Sequence, residues 1–122
     1  MEFTQYPETD REKPKKPPSL NLNSVLIKVP DATFLFRVKG DSMTGVGIYP
    51  GDLLVVDKSI DPRHNDIVIA IYNNDFTVKR LYKIGSKVKL VPENNLYPPI
   101  TLKGEDELVI WGVVTNSIHK LH

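Results

Sequence analysis

The chain of 122 residues contains no cysteine and almost no excess of either charge. Without cysteine there is no disulfide scaffold, no thiolate nucleophile and no Cys-type zinc or iron–sulfur site. Sixteen basic residues against fifteen acidic ones give a formal net charge of +1, so the chain lacks the basic excess typical of direct nucleic-acid binding. We therefore expect no metal and no cofactor, no strong direct binding of nucleic acid, and a nucleic-acid role only through a partner protein.

Long apolar runs are also absent. The longest, Ile67 to Tyr72, has six residues, whereas a membrane-spanning helix needs about 20. The sequence also lacks a basic segment followed by an apolar stretch near Met1, which a secretory signal would require. We therefore expect a cytoplasmic protein that does not associate with a membrane.

The composition changes near residue 19. Within residues 1–19 only Met1, Phe3 and Tyr6 are hydrophobic, and four of the ten prolines lie there. Such a segment buries too little apolar surface to offset the entropy lost when it is ordered. We therefore expect a flexible N-terminal arm over residues 1–19 and one globular domain over residues 20–122, which is long enough to form a core without disulfides.

The pattern of the domain is mainly β. Short runs rich in Val, Ile, Phe and Tyr alternate with turn residues, which is typical of strands. The predicted strands are Thr33 to Val38, Leu53 to Asp57, Asp66 to Tyr72, Phe76 to Tyr82, Lys87 to Val91 and Leu108 to Thr115. Hairpin turns are predicted at Asn73-Asn74-Asp75 and Gly85-Ser86, and one short helix near Asn21 to Lys28 behind an asparagine cap. The pattern therefore predicts a compact, antiparallel-rich β fold.

Ser42 lies in a predicted turn, within the run Gly40-Asp41-Ser42-Met43-Thr44-Gly45. A serine in such a turn is a candidate nucleophile of a hydrolase. An α/β-hydrolase elbow would need glycine two residues after the serine and a following helix, and neither is present. A Ser-His-Asp triad would need a histidine held by the fold. The three histidines lie instead in a polar turn and at the C-terminal end: His64, His119 and His122.

A lysine base is the remaining way to activate Ser42. An ordinary lysine has a pKa near 10.4, so only about one in a thousand is neutral at pH 7.4. An apolar setting without a carboxylate lowers that pKa. Lys79 suits this role because it lies within the strand Phe76 to Tyr82, which contains no acidic residue. Thr77 would share its side of the strand, where the hydroxyl could orient the amine.

The residues alone leave two interpretations open. In one, Ser42 and Lys79 form a catalytic dyad. In the other, Ser42 is an ordinary turn residue and Lys79 is an exposed lysine at a sheet edge, because both residue types are common and pair by accident.

From about Leu20 to Val114 the sequence resembles the self-cleaving serine proteases of the LexA and UmuD group, and within it the UmuD type. An ordered set of segments carries the resemblance: Gly40 to Met43, Gly47 to Asp57, Asp66 to Ala70, Phe76 to Leu81, Val91-Pro92-Glu93-Asn94, Pro99-Ile100 and Trp111 to Val114. The resemblance implies the β fold of that group, which is also signal-peptidase-like. It also implies that Ser42 is the nucleophile and Lys79 the base.

The resemblance also implies partners and a biological role. LexA-like repressors carry a helix-turn-helix domain, which residues 1–19 cannot form, so the UmuD type is expected. It implies a homodimer of the SOS response to DNA damage, whose cleavage is stimulated by a RecA-type recombinase filament on single-stranded DNA. The trimmed dimer would then join a UmuC-like Y-family polymerase for translesion synthesis.

The sequence departs from the group at the self-cleavage site. UmuD and LexA relatives cut their own arm between Ala or Cys and Gly, and no such dipeptide occurs in this sequence. The matching region is near Tyr6-Pro7-Glu8, where proline resists cleavage. The chain would then be an already short form, cut itself at an unusual bond, or act on a partner's arm. The alternative function is a non-catalytic polymerase accessory module that retains the protease fold.

Overall fold

A single antiparallel sheet of seven strands dominates the computed structural model, which describes residues 21–102 and 106–122. The strands are β1 Thr33–Arg37, β2 Leu53–Asp57, β3 Ile67–Tyr72, β4 Asp75–Ile84, β5 Lys87–Val91, β6 Ile100–Thr101 and β7 Leu108–Ile118. Their order in the sheet is β1-β2-β7-β3-β4-β5-β6. A short helix α1 spans Leu22–Leu26, and 3₁₀ turns span Pro30–Ala32 and Thr44–Val46.

The predicted mainly β, antiparallel fold is confirmed. All six predicted strands are present, and β4 and β7 extend beyond their predicted ends. The strand that the sequence did not reveal is β6, because two residues are too few to show a period. Helix α1 begins behind Asn21, whose side chain accepts a hydrogen bond from the Asn23 N–H at 3.1 Å. The predicted arm, residues 1–19, lies outside the described residues.

Both predicted hairpin turns are present, and each has two residues. Asn73 and Asn74 have φ angles of 47° and 72°, which is the type I′ geometry that matches the twist of the flanking strands. Asp75 pairs with Tyr72, so it begins β4 and does not belong to the turn. Gly85, with a φ of 59°, occupies the first position of the second turn.

The core has two parts, one on each face of β3. Ile69 packs into the first cluster, and Val68 and Ala70 pack into the second. Burial on both faces explains why this strand reads as a continuous apolar run. In β7, Ile110 pairs with Ala70 and Gly112 pairs with Ile69, so Trp111 is an extra residue without a partner in β3. The alternation of buried and exposed side chains along β7 is interrupted at this residue.

The first cluster fixes the position of residues 40–46, the turn that contains Ser42, which we call the serine turn. It combines buried residues from the turn segment with residues from β2 and β3: Val38, Met43, Ile48, Leu54, Val56 and Ile69. The second cluster lies on the other face and contains Val68, Ala70, Leu81, Leu90 and Val113. Because burial of Met43 anchors the serine turn, the position of Ser42 depends on the first cluster.

Replacing Leu90 by alanine tests the second cluster. Leu90 is fully buried, whereas Leu121 is 92% exposed. We expect Leu90→Ala to lower the free energy of unfolding by about 2–5 kcal/mol, because it removes buried surface and leaves a cavity. The matched Leu121→Ala should change it by less than about 0.5 kcal/mol. Urea denaturation of both variants measures the difference, and equal effects would contradict the assigned core.

Candidate active site

Ser42 lies in a tight turn between β1 and β2. The turn is closed by hydrogen bonds from the Thr44 N–H to the Asp41 carbonyl at 3.4 Å and from the Val46 N–H to the Met43 carbonyl at 3.2 Å. The Met43 side chain is 1% exposed, so it holds the turn against the core. Ser42 itself is only partly buried, and its hydroxyl stays accessible.

Lys79 approaches the serine from β4. This strand is held in register by pairing with β3, where Lys79 lies opposite Val68. The Lys79 Nζ atom lies 3.0 Å from Ser42 Oγ, 2.6 Å from Thr77 Oγ1 and 3.1 Å from the Val78 carbonyl oxygen. The fold thus brings together two residues that are 37 positions apart in sequence.

The surroundings of Lys79 favour its neutral form. Burial removes water from the amine and lowers the pKa of Lys79. Within the part of the chain that the structure describes, no carboxylate lies within 4.0 Å of its Nζ atom. All three of its polar contacts are uncharged oxygen atoms, so no negative charge among them offsets the loss of hydration.

The serine and the lysine open onto one cleft of about 290 Å³. Its wall includes the end of β1 and the segment after it, the start of β4, and single residues of β2 and β3. The lining residues are Phe36, Arg37, Val38, Lys39, Ser42, Leu54, Ile69, Phe76, Thr77, Val78 and Lys79. The wall combines six apolar side chains with two hydroxyl groups and three basic side chains, those of Arg37, Lys39 and Lys79.

The other side of the serine turn contacts the chain that follows β5. The Glu93 N–H donates to the Ser42 carbonyl at 2.8 Å, and the Gly45 N–H donates to the Glu93 carbonyl at 2.6 Å. A Cβ atom at Gly45 would lie 2.4 Å from that carbonyl oxygen, so the close approach requires glycine. Asn94 Nδ2 donates to the Asp41 carbonyl at 2.9 Å.

The Ser42 and Met43 N–H groups point away from these contacts. In a trans peptide the C=O and N–H groups point in opposite directions, and the carbonyls of Asp41 and Ser42 both face Glu93 and Asn94. Within residues 21–102 and 106–122, neither N–H has a hydrogen-bond acceptor. These two donors are therefore available to a bound group.

The histidines lie away from the cleft. His64 Nδ1 accepts a hydrogen bond from the Lys83 N–H at 3.0 Å, and His119 Nδ1 lies 2.5 Å from Asp52 Oδ1. Burial raises the pKa of Asp52, but hydrogen bonds from the Tyr49 N–H and from His119 outweigh it and hold the pKa below its usual range. None of the three histidines lines the cleft, so a histidine triad has no support.

Sequence reasoning missed the contacts made by Arg80 and Glu93. The Arg80 Nε atom donates to the Glu93 carboxylate, and a second guanidinium nitrogen donates to the Asn65 carbonyl at 2.6 Å. Arg80 thereby links the strand that carries Lys79 to the segment that holds the serine turn. Glu93 and Asn94 were part of the resemblance, but they were assigned no role.

Two further features bear on the kind of protein. In the two described ranges, no cluster of three or more His, Asp or Glu side chains could hold a metal ion. A search of the helices among the same residues finds none with the length and apolar character needed to cross a bilayer. A mainly antiparallel β domain with a serine hydroxyl next to a partly desolvated lysine is the arrangement that a serine peptidase with a lysine base would need.

Comparison with known proteins agrees with this class. Residues 5–115 match the family model described as Peptidase S24-like. Protein SamA of Salmonella typhimurium is 48% identical over 101 residues, which cover 83% of this chain and 69% of that protein. Protein MucA of Escherichia coli is 43% identical over 100 residues, with 81% and 68% covered. The LexA repressor of Bordetella avium is 42% identical over 101 residues, with 81% and 46% covered.

The chain therefore belongs to the Peptidase S24-like family, a family of serine peptidases of the self-cleaving kind. Its UmuD-like relatives and the LexA repressor confirm the resemblance to the LexA and UmuD group. The family match establishes the fold and the kind of enzyme. The roles of Ser42 and Lys79 stay predictions.

The lowered pKa of Lys79 predicts a pH-dependent stability difference between wild type and Lys79→Met. Between the folded pKa and about 10.4, the unfolded lysine holds a proton that the folded amine has lost. The stability of wild type relative to Lys79→Met should therefore rise from pH 7 to pH 10. Urea denaturation at both pH values measures this, with the exposed Lys87→Met as the control. A difference that does not change with pH would contradict the desolvated state of Lys79.

Proposed function

We propose that this chain is a UmuD-like serine endopeptidase that acts by self-cleavage, with Ser42 as the nucleophile and Lys79 as the general base. The observation that carries the proposal is the 3.0 Å separation between Ser42 Oγ and Lys79 Nζ where burial lowers the pKa of the lysine. A neutral amine has one lone pair and two N–H bonds. It would accept the proton of Ser42 and donate to Thr77 Oγ1 and the Val78 carbonyl, which matches its three contacts.

The chemistry follows from this arrangement. Ser42 Oγ attacks the carbonyl carbon of a peptide in the cleft while its proton passes to Lys79 Nζ. The C–N bond then breaks, and the lysine ammonium returns the proton to the leaving amine. A water molecule hydrolyses the acyl ester, with Lys79 again accepting the proton, and Ser42 is regenerated.

Two backbone donors would stabilise the oxyanion of each tetrahedral intermediate. The Ser42 and Met43 N–H groups have no acceptor among the described residues, and one of them belongs to the nucleophile itself. Oxyanion holes are commonly built from such backbone pairs. Thr77 would orient the amine through its 2.6 Å contact, as expected from its place two residues before Lys79.

The biological role rests on the family. The UmuD-like relatives and the family match support a component of the SOS mutagenesis response. On this proposal the chain forms a cytoplasmic homodimer, and a RecA-type filament on single-stranded DNA stimulates its cleavage. The shortened dimer is then the accessory subunit of a UmuC-like Y-family translesion polymerase.

A second function, that of a non-catalytic polymerase accessory module, is favoured by the absence of the usual cleavage site. The sequence has no Ala-Gly or Cys-Gly dipeptide, so the bond that relatives cut is missing. A non-catalytic polymerase accessory module would need the fold but not the cut. In that case the Ser42–Lys79 pair would be inherited without being used for self-cleavage.

An intact-mass time course separates the two functions. Purified wild type, Ser42→Ala and Lys79→Ala are incubated at roughly pH 9 to 10, where a larger fraction of a lysine with a lowered pKa is neutral than at about pH 7. We expect only wild type to lose an N-terminal fragment, because both variants lack one partner of the proton transfer. The new terminus then identifies the bond.

If no sample shortens, self-cleavage is not the function of this chain and the accessory module is favoured. If all three shorten at the same rate, the cut comes from a contaminating protease. Lesion bypass in cells carrying Ser42→Ala adds a second measurement: it is lost if cleavage is obligatory, and it survives if the chain acts only as an accessory or is an already short form.

A further inference from the structure

A short segment after β5, residues 93–97, holds the serine turn from the side opposite the lysine. We name it the clamp segment. Two of its bonds are between backbone groups, from the Glu93 N–H to the Ser42 carbonyl and from the Gly45 N–H to the Glu93 carbonyl. Two come from side chains, because Asn94 Nδ2 donates to the Asp41 carbonyl and the Tyr97 hydroxyl donates to the Asp41 carboxylate.

The side chain of Asn94 is fixed in one orientation. Its Oδ1 atom accepts the Leu96 N–H at 2.9 Å, and its backbone carbonyl accepts the Tyr97 N–H at 3.0 Å. Because the amide oxygen accepts a hydrogen bond within the clamp segment, the amide nitrogen faces the serine turn. There it lies 2.9 Å from the Asp41 carbonyl and 3.4 Å from Thr44 Oγ1.

This contact determines where the N–H group of the nucleophile points. The carbonyl of Asp41 and the N–H of Ser42 belong to one peptide unit, so fixing one fixes the other. The contact of Glu93 with the Ser42 carbonyl does the same for the Met43 N–H. The Glu93 contact uses the backbone alone. The Asp41 carbonyl accepts the Thr44 N–H within the turn at 3.4 Å, but its shorter contact, at 2.9 Å, comes from the side chain of Asn94.

We propose that Asn94 is a positioning residue, whose side-chain amide holds the Asp41–Ser42 peptide so that the Ser42 N–H points at the developing oxyanion. The proposal rests on the proposed role of Ser42 and deepens it. Asn94 does not touch the reacting atoms and does not line the cleft. Its effect is therefore on the stability of the charged intermediate and not on the proton transfer to Lys79.

Asn94→Asp is the sharpest variant. It keeps the shape of the side chain and the oxygen that accepts the Leu96 N–H. It replaces the donor to the Asp41 carbonyl by a charged oxygen, and two acceptors at that separation repel each other. Asn95→Asp is the matched control, because it introduces the same charge one residue away on an exposed side chain, and Asn95 donates no hydrogen bond to the Asp41 carbonyl among the described residues.

A fluorophosphonate reagent measures the reactivity of Ser42 without requiring a cleavable bond in this chain. Ser42 Oγ forms a bond to phosphorus, the P–F bond breaks, fluoride leaves, and the serine proton passes to Lys79 Nζ. The phosphoryl oxygen occupies the position of the oxyanion. The rate of labelling is followed by intact mass from pH 6 to 11 for wild type, Asn94→Asp, Asn95→Asp and Lys79→Ala.

We expect Asn94→Asp to lower the plateau rate about 10- to 100-fold relative to Asn95→Asp. The pH at which the rate is half-maximal should equal that of Asn95→Asp, because the surroundings of Lys79 are unchanged. Equal plateau rates in the two variants would overturn the role of Asn94. A displaced pH midpoint with an unchanged plateau would also overturn it, since Asn94 would then act on the lysine.

A failure of the proposed function gives a different result. In that case wild type and Lys79→Ala are labelled at the same rate, or wild type is not labelled, and the inference about Asn94 falls with it. Thermal denaturation shows whether each variant is folded. If Asn94→Asp is unfolded, the neutral Asn94→Ser decides by the same criteria, because a serine hydroxyl can still accept the Leu96 N–H but does not reach the Asp41 carbonyl.

Discussion

Lys79 can accept a proton from Ser42 only if its amine is kept away from both water and carboxylates. A lysine in water is an ammonium ion and cannot accept a proton, so its surroundings must make the charge unfavourable. Here burial lowers the pKa of Lys79, and its three polar neighbours are neutral oxygen atoms. The fold must therefore hold an energetically unfavourable residue in place, which requires a rigid setting for the strand and the turn that meet there.

The sheet supplies this rigidity from two directions. Pairing with β3 fixes the register of β4, and β3 is buried on both faces by the two core clusters. The serine turn is fixed separately, by Met43 in the core and by the clamp segment. Arg80 joins these parts, because its guanidinium group contacts Glu93 from the residue next to Lys79. The spacing of the pair thus depends on strand register on the Lys79 side and on the core and the clamp segment on the Ser42 side.

Local features of this chain could be predicted from sequence because they have local causes. The strands follow their β-branched and aromatic runs, and the Asn73-Asn74 turn follows from the tolerance of asparagine for positive φ. The run Phe76 to Tyr82 around Lys79 contains no acidic residue, which indicated a setting without a carboxylate partner. The resemblance to the LexA and UmuD group, confirmed by the family match, then pointed to the same pair.

Other features have no local signal. The bond between Asn94 and Asp41 joins residues 53 positions apart, and the one between His119 and Asp52 joins residues 67 apart. Each depends on how the whole sheet folds, and no pattern within a short window reports it. His119 lies near the C-terminal end and looked solvated in the sequence, yet it contacts a carboxylate that is only 2% exposed.

The partial exposure of Lys79 connects the geometry to the missing self-substrate. Its side chain is not fully buried, because the cleft is open on one side, and water entering there stabilises the ammonium form. A peptide segment lying in the cleft would displace that water and favour the neutral amine further. The proposed roles of Ser42 and Lys79 therefore predict that the reactivity of the pair rises when the cleft is occupied. If Lys79 is the base, as we propose, a chain that lacks the usual cleavage dipeptide would have a more effective base when a suitable segment, its own or a partner's, enters the site.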